Sequence, residues 1–329
     1  MSPEISGTVD SEALPLFSEN VSFEEAQAAL EARQLGDGLP LVPPTGARLD
    51  RMLAGVADPD RSYGGVPPLF GDLTAAIVAY NCVLAGCVPA ELPVVLTALT
   101  ACLEPDFNLL GIQTTTGTPT VALIVHGPIA ARLAMNSGTN CLGPGNRANA
   151  CIGRALRLAL TNIGGAHPGV GDMATMGQPG KYGFAFAEGD HVLLQPLHVR
   201  RGLAPKQSAV TVLGVSGTME VLPREGRDTP ECVLEPVVAA MIGAKEAAGA
   251  GKVRPGGEQF FLLPPEMADQ LAKHRWTLER IQDFMFRETV AGTPQDIHPV
   301  IAGGAGVKMT YTPLWMGGTM SVTTPVIDL

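Results

Sequence analysis

Three groups in this sequence sit where residue type and spacing could do chemistry: a thiol, a lysine, and polar side chains around a glycine turn. In "NCVLAGCVPAELP" (81–93), Cys87 lies between Gly86 and Pro89, where a helix with Glu91 in its first turn is expected to begin. A thiol just before a helix N-terminus sees partial positive charge, which lowers its pKa and favours the nucleophilic thiolate. The competing reading is an ordinary buried thiol, as most unpaired cysteines are.

In "NCLGPGNRANACIGRALRLAL" (140–160), Gly143-Pro144-Gly145 allows a tight turn and Asn146 is a good N-cap for the helix behind it. Free N–H groups at such a terminus attract anions. With Asn140, Gly145 and Arg147 they could hold a carboxylate or phosphate. Against this, the arginines could serve structural ion pairs and the Gly-Pro-Gly only a turn. Thr115, in "GIQTTTGTPT" (111–120), could add a hydroxyl to a ligand carboxylate, although threonine-rich strand ends are ordinary β sequence.

The lysine is in "GQPGKYGFAFAEG" (177–189). Strand alternation would put Tyr182, Phe184 and Phe186 on one face and Lys181, Gly183, Ala185 and Ala187 on the other. Lys181 then looks across a nearly bare face, where it could neutralise an anionic substrate or act in acid–base catalysis. A solvated lysine at a hairpin end is the alternative.

Other motifs are missing. No H-x-x-x-H or H-E-x-x-H is present, so no preformed zinc motif and no metal ligand is assigned, and the cofactor is unknown. His126, which ends a strand before Gly127-Pro128, and His167, in a glycine-rich loop, could each be a general base. The G-x-S-x-G elbow, G-x-G-x-x-G and G-x-x-x-x-G-K-[ST] are also absent.

These residues need a scaffold, and the patterning predicts an α/β one. Ser22 with Glu25 forms a capping-box signature for a helix from about 23 to 34, and Thr45 can cap a second helix after a Pro-rich loop. The apolar run 73–86 reads as a buried helix, followed by a helix from about Pro89 to Glu104. "LLGIQTTT" and "TVALIVHG" read as strands, and 147–163 as a long helix. Blocks in the second half follow the same order: 91–104 matches 234–247, 120–134 matches 258–272, 147–163 matches 277–292, and 177–186 matches 303–312. The order predicts two tandem, sequence-related α/β units about a pseudo-twofold, with an N-terminal helical arm. The expected division is 1–87 for the arm and buried helix, 88–200 for the first unit and 201–329 for the second.

Three stretches, "NCVLAGCVPAELPVVLTAL", "GPGNRANACIGRALRLAL" and "GQPGKYGFAFAE", resemble an uncharacterised bacterial family associated with UGSC-type thiol and selenol proteins. The resemblance assigns Cys87, Asn146, Arg147 and Lys181 to the family pattern and implies thiol-dependent redox chemistry or bond cleavage on a small molecule. The family's C-terminal Gly-Gly-Pro-Gly-Lys becomes "GGAGVK" here, with Val307 before Lys308, which puts the second lysine's role in doubt.

The expectation is therefore a thiol-dependent enzyme. Cys87 and Lys181 would be catalytic, and Asn140, Gly145, Asn146, Arg147 and Thr115 would bind a small anionic substrate where loops 36–45, 140–147 and 177–182 converge. A hydrolase or lyase using the same anion pocket, with or without the help of a metal, and a non-catalytic subunit of a heteromeric complex are the alternatives. A net charge of −10 disfavours nucleic acid and anionic membrane as partners. With 46% apolar and 16% charged residues, part of the surface should be covered by homo- or hetero-oligomeric contacts, and a thiol-redox partner protein would fit the chemistry. The N-terminus lacks a secretory pattern, and the six cysteines include no C-x-x-C pair, so reduced thiols and a cytoplasmic location are expected.

Overall fold

The computed structural model describes residues 14–225, 228–248 and 257–329, and the fold is α/β. The N-terminal part contains α1 (Phe23–Ala32), α2 (Gly46–Met52), the hairpin β1 (Ser62–Val66) and β2 (Gly71–Thr74), α3 (Ala75–Ala85) and α4 (Leu92–Cys102). Ser22 and Glu25 form the expected capping box on α1, and Thr45 caps α2. All of α3 is buried. Then come α5 (Leu109–Thr114), β3 (Thr120–His126), α6 (Pro128–Arg132), α7 (Arg147–Gly164), β4 (Ala185–Ala187), α8 (Leu197–Arg200), β5 (Ala209–Val215) and β6 (Met219–Val221). The remainder is α9 (Pro230–Ala247), β7 (Gln259–Leu263), α10 (Pro265–Lys273), α11 (Leu278–Met285), β8 (Ile297–Ile301), β9 (Met309–Thr312) and β10 (Val322–Pro325).

Apart from the β1–β2 hairpin, the strands form two four-stranded sheets, ordered β10-β5-β3-β4 and β6-β9-β7-β8. In each, one central strand (β3 or β7) has a parallel neighbour (β4 or β8) on one side and an antiparallel neighbour (β5 or β9) on the other. The outer place is filled differently. β6 precedes its sheet's helices, whereas β10 comes from the C-terminal end. The first sheet thus draws β5 and β10 from beyond the boundary expected at residue 200.

Every residue of β3 and β5 is buried, because both faces of the strand are covered. Val121, Leu123 and Val125 face α3, α4 and α7, and Ala122 and Ile124 face Phe260, Leu262 and Val300 of the second sheet. On that sheet's far side Phe261, Leu263, Ile297 and Ile301 pack with α9, α10 and α11. The layers are therefore helices, sheet, sheet, helices. At one point α7 lies directly on the chain entering β4: a Cβ at Gly153 would stand 2.8 Å from the Phe184 backbone nitrogen.

Several local expectations are corrected. "LLGIQTTT" is not a strand: Asn108 accepts from the Gly111 N–H and starts α5 there. The stretch around Lys181 is a 3₁₀ turn over Pro179–Tyr182, and the strand begins only at Ala185, so the bare face does not reach the lysine. Blocks 177–186 and 303–312 are not equivalent either. The first leads into β4, parallel to its central strand, and the second into β9, antiparallel to its own.

Candidate functional site

The three loops expected to converge do so, around a cavity of about 720 Å³ bordered by Leu39, Leu142, Pro144, Gln178 and Tyr182. The side chains expected to work there are engaged elsewhere. Asn146 caps α7, accepting from the Asn149 N–H at 2.9 Å and donating to the Ala134 carbonyl at 2.9 Å. Arg147 is held by both oxygens of the fully buried Glu91, at 2.7 and 3.2 Å. Asn140 adopts positive φ and donates to the Pro144 carbonyl at 2.6 Å, and Gly145 has φ +117°. Thr115 accepts from the Gly117 N–H at 3.0 Å, closing its own turn.

Cys87 does share a neighbourhood with Arg147, through Glu91 and Cys151. Its thiol is pushed well above the ordinary range, first by a hydrogen bond with Cys82, then by burial and the negative charge of Glu91. That is opposite to the direction expected for a helix N-terminus, because the Cys82 contact and burial, with Glu91 adding to them, outweigh the partial positive charge of the short turn. Lys181 belongs to a different group: its ammonium lies 2.6 and 2.8 Å from the two oxygens of Asp172, which also binds Arg157 at 3.0 Å.

A second cavity, of about 440 Å³, has the stronger chemistry. Strand phase and register assemble it. His126 ends β3 on the face shared with Ala122 and Ile124, which looks into the layer between the sheets. The parallel register pairs Val125 with Ala187, so the next residue on each strand, His126 and Glu188, come side by side. His126 Nδ1 lies 2.7 Å from Glu188 Oε2, with both side chains essentially buried. The same carboxylate oxygen accepts the Leu197 N–H at 2.8 Å, and Arg200 stands 3.8 Å from the other.

That bond to Leu197 fixes the start of α8, and α8 brings His198 against the pair. The two imidazoles stack at 5.3 Å between centroids. His198 is buried, yet neither of its ring nitrogens has a hydrogen bond of acceptable geometry with any described group. Desolvation lowers its pKa, as does the proximity of His126; Glu188, the Pro205 backbone, which approaches the ring without hydrogen-bond geometry, and Asp190 act the other way. The ring is thus neutral at neutral pH. Ser137, Asp190 and Lys206 complete the polar lining.

Behind this cluster runs a chain of hydrogen bonds through the inter-sheet layer. His126 Nε2 is 2.7 Å from Thr211 Oγ1, and Thr211 Oγ1 is 2.7 Å from Thr323 Oγ1, its cross-strand partner on β10. Thr323 accepts from Arg201 at 2.9 Å, Arg201 donates to Glu258 at 2.7 Å, and His298 lies 3.1 Å from the same oxygen. Since arginine can only donate, each hydroxyl can pass its single proton along, toward His126 Nε2, leaving Nδ1–H for Glu188.

Reading the sequence singled out His126 as a possible base but missed Glu188 and His198. They stand 62 and 72 positions further along, too far for any short motif. Two signals were available: Glu188 continues the phase of Phe184 and Phe186, and Pro196 precedes a His-bearing turn. Among the described residues no single helix is long and apolar enough to cross a membrane. Comparison of the chain with protein-family models, curated proteins and solved structures gives no match.

Proposed function

We propose that the protein is a hydrolase or lyase acting on a small anionic molecule, with its reaction centre at His126, Glu188 and His198. One observation carries this reading: a buried histidine with two unpartnered nitrogens lines a cavity beside a hydrogen-bonded carboxylate–imidazole pair. An unsatisfied buried polar side chain costs about 1–3 kcal/mol, so a use for it is the better explanation than packing. The cavity is of a size for a small molecule, and Lys206 on its lining can meet an anionic group. His198 has nitrogens to offer a reacting water or ligand, and Glu188 with His126 holds it in place and compensates charge.

A thiol-dependent route through Cys87 has less support, since its thiol is held protonated and the neighbouring Arg147 is already bound by Glu91. The common strand pattern of the two sheets supports reading them as copies of one unit, only the first of which keeps a reaction centre. The test is turnover of a panel of small carboxylate- and phosphate-bearing esters and amides by wild type and variants. Any activity should fall at least ~100-fold in His198→Gln. Activity that survives in both His198→Gln and Glu188→Gln, or is abolished by Cys87→Ser, would place the centre elsewhere.

A further inference from the structure

We infer that His126, Glu188 and His198 bind one divalent transition-metal ion, with zinc the best match. The inference rests on the reading above that this cavity is the reaction centre, and it names the cofactor of that site.

The donor set comes first. One ligand atom from each residue lies within 4.8 Å of the other two, and the group faces a cavity instead of being sealed by a fourth side chain. Two imidazoles and one carboxylate, with one position left open, make up a catalytic zinc set; a structural site would be closed by four protein ligands. Borderline nitrogen donors with one carboxylate also suit a transition metal better than calcium or magnesium, which take mostly oxygen.

The unpartnered nitrogens are the second, independent observation. Buried polar atoms are nearly always hydrogen-bonded, and those of His198 are not. A buried ring nitrogen that no protein group uses, within 4.8 Å of the other two donors, is free to serve as a ligand.

The surroundings can accommodate the ion. His126 Nδ1 and Glu188 Oε2 are in hydrogen-bond contact, so the metal takes the place of the proton between them. Ligation through Nδ1 requires His126 to carry its proton on Nε2, where Thr211 Oγ1 stands at 2.7 Å to accept it. Thr211 can switch to accepting because its own proton can go to Thr323 Oγ1. The proton is relocated, not lost, and Thr211 becomes the outer hydrogen bond that orients a metal-bound imidazole. Asp190 adds negative charge nearby, and Arg200 and Lys206 oppose the cation. Bound there, a divalent ion would polarise a water or substrate oxygen at the open position.

The experiment is equilibrium dialysis of the whole chain against Zn²⁺, with bound metal counted by mass spectrometry and no substrate present. One zinc per chain is expected. The ion should be lost in His198→Gln and in Glu188→Gln, and held about 10- to 100-fold more weakly in Thr211→Val. Circular dichroism checks that each variant folds. If they do not fold, the absorption spectrum of Co²⁺ added to wild type decides. Intense d–d bands without thiolate charge-transfer support the site, and charge-transfer bands would place the metal at the Cys82, Cys87 and Cys151 thiols and overturn it. Absence of zinc from the wild-type chain, or its retention in both folded variants, also overturns it. Because no turnover is measured, a failed metal test leaves the reaction-centre reading standing, and loss of activity without metal binding would separate the two.

Discussion

Among the described residues, the layer between the sheets contains two carboxylate–histidine pairs, and they differ in their third group. At the first sheet Glu188 binds His126, and the third group, His198, makes no hydrogen bond. At the second, Glu258 binds His298, and Arg201 closes the set from the residue just after α8, three positions from His198. There both carboxylate oxygens are taken, one by Arg201 and His298 and the other by the Ser321 N–H at 2.6 Å. Burial alone would raise the Glu258 carboxyl, but His298, Arg201 and Ser321 together hold it below the usual range. Glu258 also borders a cavity, of about 680 Å³, so access to a cavity does not separate the two. Valence does: no buried polar side-chain atom of the second cluster lacks a partner, whereas the first has kept two back.

The contrast breaks most visibly under truncation of the third group. Arg201→Met leaves Glu258 buried without its cation, and unfolding in urea should show a loss of about 3–5 kcal/mol. His198→Leu, measured with chelator present, removes only atoms that bond nothing and should lie within about 1 kcal/mol of wild type, or be more stable. Equal large losses would make His198 as structural as Arg201.

The part of this comparison legible in sequence was the apolar part. "TVALIVH" is a largely apolar run rich in β-branched residues, which marks a strand buried on both faces, and α3 is apolar on nearly every side, with Asn81 its one amide. The polar clusters were not legible, because register joins residues far apart in the chain: β3 to β4, β5 to β10, and the end of β4 to α8. The sequence reading favoured Cys87 and Lys181 from local surroundings, and both assignments depended on partners that sequence does not place. Cys82 and burial, with Glu91 adding to them, reverse the expected shift at Cys87, and Asp172 takes the lysine's charge. The alternation "GFAFA" was also extended too far back, since the chain turns at Pro179–Tyr182 before the strand begins.

The hydroxyl pair that links the clusters gives the intermediate effect. Thr211→Val takes a partner from His126 Nε2 and from Thr323 Oγ1, both buried or half-buried, and should cost about 1–3 kcal/mol. If the two hydroxyls act as one chain, Thr323→Val added to it should cost less than it does alone, a coupling that a double-mutant cycle resolves. Simple additivity would make the two clusters independent despite their hydrogen-bonded connection.

The smallest effect concerns pH. Burial lowers the pKa of His298 more than Glu258 raises it, so the folded protein keeps this ring neutral at pH values where an unfolded chain, with an ordinary histidine pKa of about 6.5, takes up a proton. In that window the unfolded state binds more protons, and stability must fall as pH drops below about 6.5. The ring stacks tilted on Phe260 at 4.6 Å, so His298→Leu keeps an apolar contact while removing the titration. Unfolding free energies of wild type and His298→Leu at pH 7.5 and 5.5 isolate this contribution. The variant starts lower, because Glu258 loses a donor, but its loss between the two pH values should be smaller than that of wild type. A loss as large in the variant would mean that the ring is protonated in the folded protein, with Glu258 and His298 forming a true ion pair.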